Sequence, residues 1–145
     1  RVRLRGGYVI EAERCDVDVH GEVTKVYATV VPQTLGEDPD DGVKAKGVIH
    51  WVDQSNAVEA EIRSYDRLFA VSDPSSAEDF DQVINHNSLT TATAFLEASL
   101  AHAVPEARYQ FEREGYFIAD RYDHSNEQPV FNKVIGLRDT WVTND

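Results

Sequence analysis

Methionine is missing from all 145 residues, position 1 included, and cysteine occurs once. A complete translation product normally starts with methionine, so the chain is expected to be a piece of a longer protein. The lone Cys15 has no partner for an internal disulfide, which points to a reducing compartment and an expected cytoplasmic location. No apolar run approaches the ~20 residues that span a bilayer. The N-terminal segment has neither the apolar stretch nor the cleavage site of a secretion signal, so no membrane partner is expected. Basic residues are scarce, 14 against 26 acidic ones, for a formal net charge of −12. That balance disfavours bulk electrostatic capture of nucleic acid or anionic lipid, and a polyanion would need a local basic patch. What is present suffices for a folded core: the chain is 41% apolar and 10% aromatic, and a chain of this length buries roughly 70% of its unfolded surface.

The pattern along the chain is that of short strands. In Val2-Arg3-Leu4-Arg5 the period of two sends the valine and leucine to one face and Arg1, Arg3 and Arg5 to the other. Gly6-Gly7 allows a bend before Tyr8-Val9-Ile10, and His20-Gly21 suits a hairpin turn between two β-rich runs, which brings strands to Val31. Residues 34–42 form a polar loop with strong turn chemistry in Asp38-Pro39-Asp40-Asp41-Gly42. Lys44–Val52 alternates again, and Val58–Val71 reads as one or two strands. Ser75-Ser76-Ala77-Glu78 has capping-box spacing ahead of Phe80, Val83 and Ile84, which predicts one short helix. Ser88–Val104 stays open between a threonine-rich strand at its start and a helix from Leu96 on. Tyr109–Ile118 and Val130–Leu137 are the last strand candidates. Seven or eight short strands between turn signals mean an all-β barrel or sandwich with minor helix.

Most chemical readings of this pattern fail on spacing. Counted as a calcium loop from Asp38, Gly42 falls at position 5 and Ile49 at position 12, where glycine belongs at 6 and a bidentate glutamate at 12. The loop therefore reads as a surface turn. Histidines 20, 50, 86, 102 and 124 offer no i, i+2 or i, i+4 pair for a metal. His50, inside Gly47-Val48-Ile49-His50-Trp51-Val52, is expected to make one buried hydrogen bond. Cys15 follows Arg14 but no histidine or asparagine can be assigned to it as a partner. No catalytic constellation, phosphate loop or metal site is expected. Two features carry more. The arginine stripe is either a solvated strand face or an anion-binding face, because planar guanidinium groups suit phosphates and base edges. Tyr109-Gln110-Phe111-Glu112-Arg113-Glu114-Gly115-Tyr116-Phe117 sets amide and guanidinium groups among aromatics, the chemistry of readout on unstacked RNA bases, although an aromatic barrel strand looks much the same.

Five blocks then occur in one order across nearly the whole chain. They are Val2-Arg3-Leu4-Arg5 with Tyr8-Val9-Ile10; Gly47-Val48-Ile49-His50-Trp51-Val52; Tyr65-Asp66-Arg67-Leu68-Phe69; Gln110-Phe111-Glu112-Arg113-Glu114-Gly115-Tyr116-Phe117; and Val130-Phe131-Asn132-Lys133 with Gly136-Leu137-Arg138-Asp139-Thr140-Trp141. Together they resemble the C-terminal anticodon-binding region of glutaminyl-tRNA synthetases. The resemblance implies an all-β fold of two barrels in tandem with one or two short helices. Residues 1–15 would belong to the first barrel, 16–107 to the second, and 108–145 would return to the first, which is incomplete here. It implies that the partner is the splayed anticodon loop of tRNA(Gln). Gln110 and Arg113 match the family's readers of the middle base, a uracil. Arg5 matches an arginine at the first base or its phosphate, with Arg3 as its companion. The family's main contact to the third base falls before Arg1, and nothing is carried over to Ser88–Val104. The catalytic signatures, His-Ile-Gly-His-like and Lys-Met-Ser-Lys-Ser-like, have no counterpart. Glutamine, ATP with magnesium and the aminoacylation step are thus expected to belong to the N-terminal catalytic part of a parent ligase, with no cofactor in this chain. The related barrel of glutamyl-tRNA synthetases is the nearest alternative, and a β-barrel that binds no RNA is the alternative of another class. Strict alternation would put Gln110 and Arg113 on opposite faces of one strand, so sharing a base requires a bulge or strand end within Phe111–Gly115.

Overall fold

In the computed structural model, which describes residues 1–137, the chain is all-β with three short 3-10 turns. It divides into two compact units, one of residues Arg1–Trp51 and one that begins at Val52. The block Arg138-Asp139-Thr140-Trp141 lies outside the described residues.

The first unit is a four-stranded sheet in the order β3-β2-β1-β4. β1 (Val2–Leu4) runs antiparallel to β2 (Val9–Val17) and parallel to β4 (Val48–Ile49). The β1–β2 connection turns at the expected Gly6-Gly7: Gly6 takes φ +66°, and the Gly7 N–H donates to the Leu4 carbonyl at 2.8 Å. β2 and β3 (Val23–Val30) form a long hairpin. Asp18 closes it by accepting from the N–H groups of His20 and Glu22, while Gly21 supplies the positive φ. The alternation at 44–52 yields only the two paired residues of β4, and His50 is exposed rather than buried. So short a strand places no second layer over that side chain.

The second unit is a five-stranded sheet, ordered β6-β5-β9-β8-β7. Its strands are β5 (Val58–Tyr65), β6 (Leu89–Leu96), β7 (Arg108–Phe111), β8 (Gly115–Ala119) and β9 (Val130–Ile135). The helix expected near 75–84 is instead two three-residue 3-10 turns. Asp73 and Asp79 each accept from the backbone two residues on, and such local bonds end a turn before it can propagate. Ser88–Val104 combines both of its readings, strand over Leu89–Leu96 and 3-10 turn over Ala98–His102. The core is aromatic. Phe131, with no exposed surface, meets Tyr109, Phe111 and His124 at centroid distances of 5.7, 5.5 and 5.1 Å, and Phe111 stacks on Phe117 at 4.4 Å.

The all-β class with short helical turns therefore holds, as two sheets, neither of which closes on itself among the described residues. The division between the two compact units falls after Trp51. Its cause is hydrogen bonding: β2 continues through Val17 into its hairpin with β3, and β7–β9 join β5 through the parallel β5–β9 pair.

Candidate nucleic-acid interface

The expected interruption of Tyr109–Ile118 is a full hairpin turn. β7 ends at Phe111, β8 starts at Gly115, and Glu112-Arg113-Glu114 make the tip. The Glu114 N–H closes the turn on the Phe111 carbonyl at 3.0 Å. Arg113 occupies the left-handed region, with φ +66°, a conformation that glycine or asparagine normally fills. A residue held there costs of order 1–3 kcal/mol, and such residues cluster at functional sites. Gly115 has φ +144°, and an added Cβ would strike the Ile135 carbonyl oxygen on β9, so only glycine lets β8 begin this close. Gln110 lies on β7 with its side chain exposed, and Arg113 is exposed at the tip. The turn thus removes the opposite-face problem that a straight strand would pose.

The arginine stripe of the first unit divides by role. Arg1 donates through Nε to Glu11 at 2.9 Å and through Nη1 to Asp41 at 2.6 Å. Those hydrogen bonds raise its pKa further, and the Val43 N–H with Arg1 lowers that of Asp41. Arg3 donates to the carbonyl oxygens of Thr34 at 2.6 Å, Glu37 at 2.5 Å and Gly7 at 3.4 Å, with Asp38 at 3.6 Å. Beneath it the buried Thr34 hydroxyl accepts from the Val9 N–H and donates to the Val31 carbonyl. Arg1 and Arg3 therefore hold the acidic 34–43 loop to β1. Arg5, just past β1, is exposed, and its backbone is fixed twice: its N–H donates to Ile49 and its carbonyl accepts from the Trp51 indole at 3.0 Å. Arg3 and Arg5 belong to the first unit and Gln110 and Arg113 to the second.

Two polar centres escaped the sequence reading. Arg63 on β5 pairs with Glu61 and Asp123, each at 2.6 Å, and with Asp120 at 3.7 Å. Asp120 accepts from the Asn132 amide at 2.6 Å and from the N–H groups of Asp123 and Tyr122. These bonds, then the Arg63 charge, hold its pKa down at about 2. Buried His124 takes the Val130 N–H on Nδ1 at 3.1 Å, which leaves Nε2–H for the Ala103 carbonyl at 3.0 Å. Asp120, Asp123 and His124 lie in the polar stretch 120–128, where no periodicity marks a buried group. Cys15 is exposed, and the Arg14 guanidinium is turned away onto the Tyr27 ring, 3.3 Å from its centroid.

These features define an all-β module with a guanidinium-bearing hairpin tip beside an exposed amide. The chain belongs to the family described as class I tRNA synthetases (E and Q), anti-codon binding domain, whose model matches residues 48–120. It is 56% identical over 141 residues to a glutamine–tRNA ligase of Vibrio parahaemolyticus, which covers 97% of this chain and 25% of that protein. Ligases of the same name from Serratia proteamaculans and Colwellia psychrerythraea are 56% and 55% identical, again over 97% of this chain and 26% of theirs. The chain thus spans about a quarter of the length of these curated relatives.

Proposed function

We propose that this chain reads the anticodon of tRNA(Gln) within a glutamine–tRNA ligase. Gln110 and Arg113 take the middle uracil, Arg5 meets the first base or its phosphate, and Arg3 contributes by fixing the strand and loop on which Arg5 is mounted. The observation that carries the reading is the turn at 112–114, which sets Arg113 at a strained, exposed tip two residues beyond the end of the strand bearing Gln110. A guanidinium and an amide donate and accept along the edge of an unstacked base, and that is how single-stranded RNA is read. The catalytic part of the same polypeptide would bind ATP with magnesium and carry out the acyl transfer. Among the described residues no three His, Cys, Asp or Glu side chains are grouped to hold a metal ion.

The test is a salt titration of the full-length ligase against two anticodon stem-loops, one with the glutamine anticodon and one with its middle uracil replaced. The proposal predicts preference for the first, with both affinities falling as salt rises. Equal binding to both loops would refute it.

A further inference from the structure

The hairpin that carries Gln110 and Arg113 also carries an aromatic ring that the core does not use. Gln110 on β7 is paired directly with Tyr116 on β8, so their side chains leave the same face with Cβ atoms about 4.5–5.5 Å apart. Alternation sends the flanking Gly115 and Phe117 inward, where both are buried, while Tyr116 is 47% exposed. Tyr109, Phe111, Phe117, Phe131 and His124 make the ring contacts of this unit's core, and Tyr116 takes part in none of them. Across β9 its neighbour is Ile135, itself 61% exposed, because the pairing slips by one residue between Tyr116 and Phe117. Tyr116 and Ile135 thus form an exposed apolar pair next to Gln110.

We propose that Tyr116 is the stacking platform for the base read by Gln110 and Arg113. The inference rests on the anticodon reading above and adds the group that holds the base's face while the amide and guanidinium meet its edge. A base drawn out of its own stack loses π contact on both sides, and an exposed tyrosine restores one of them whatever the base is. Tyr116 therefore supplies affinity that does not depend on base identity, and Arg113 supplies the choice among bases.

The experiment is a double-mutant cycle in the full-length ligase, with Tyr116→Ile and Tyr116→Phe, against the glutamine-anticodon stem-loop and the same loop with an abasic middle nucleotide. Wild-type protein must first prefer the glutamine loop over one with a replaced middle base; if it does not, the anticodon reading itself fails. Given that preference, Tyr116→Ile is expected to weaken binding of the intact loop by about tenfold or more. It should change binding of the abasic loop far less, and Tyr116→Phe should bind like wild type. Equal losses on both loops, or no loss on either, would overturn the platform while leaving the reading intact. A loss in Tyr116→Phe as large as in Tyr116→Ile would also overturn it, since the hydroxyl and not the ring would then be at work.

Discussion

The two units are built on different physics. Residues 1–51 bury little: Val9 and Thr34 are the largest fully enclosed side chains, and the 34–43 loop is tied to β1 by the Arg1 and Arg3 guanidiniums acting on carboxylates and carbonyl oxygens. From Val52 on, the sheet closes over an aromatic cluster centred on Phe131. Burial of that kind is non-directional and indifferent to salt, whereas charge-assisted bonds at a partly wet surface depend on geometry and ionic strength. A strained left-handed arginine such as Arg113 persists only where its surroundings over-determine it, and it stands on the unit with the packed core. The first unit fixes its exposed Arg5 through the backbone instead, from Ile49 and Trp51.

Gly115→Ala strikes the second unit hardest. The positive φ together with the collision against the Ile135 carbonyl should cost about 3 kcal/mol. Hydrogen exchange is expected to accelerate across Phe117–Ala119 and to stay unchanged at the Val9 N–H; equal acceleration in both places would mean the units do not respond separately. The mirror experiment is Arg3→Ala, which removes three donors to carbonyl oxygens and should cost about 2 kcal/mol. Here the Val9 N–H, bonded to the Thr34 hydroxyl, is expected to lose protection while Phe117–Ala119 keep theirs.

A smaller effect sharpens the picture in acid. Asp120 has a folded pKa of about 2 against an ordinary 3.8. A depressed carboxylate stabilises the fold fully above the unfolded value and loses that contribution as pH falls through the folded one. The second unit should therefore lose on the order of 1–2 kcal/mol between about pH 4 and pH 2 from this group. Asp120→Asn should start weaker and show a flatter acid limb in urea melts over that window. An identical slope in the variant would place the acid sensitivity elsewhere.

Where local chemistry dictated structure, the sequence was legible. Alternation located β1, β-rich runs located β2 and β3, His20-Gly21 their hairpin, and the opposite-face conflict between Gln110 and Arg113 demanded the break that the 112–114 turn supplies. Where the outcome depended on partners far along the chain, it was not. Period two in 44–52 could not reveal that only Val48 and Ile49 would form a strand, nor that Arg1 and Arg3 would turn from solvent to the 34–43 loop. Three-residue turns replaced the 75–84 helix because aspartates outside the capping box competed for its first amides. His124 and Asp120 were silent because each is made by tertiary hydrogen bonds from a stretch that reads as polar loop.

On the proposed reading the hairpin tip chooses the base, while the first unit's Arg3 only holds a frame. The most direct measurement is the ratio of Kd values for the glutamine and middle-base-replaced stem-loops, determined for full-length wild type, Arg113→Ala and Arg3→Ala. Arg113→Ala is expected to compress this ratio by the equivalent of about 1–3 kcal/mol, whereas Arg3→Ala weakens both loops alike and leaves the ratio where it was. A ratio unchanged in Arg113→Ala, or one lost in Arg3→Ala instead, would contradict it.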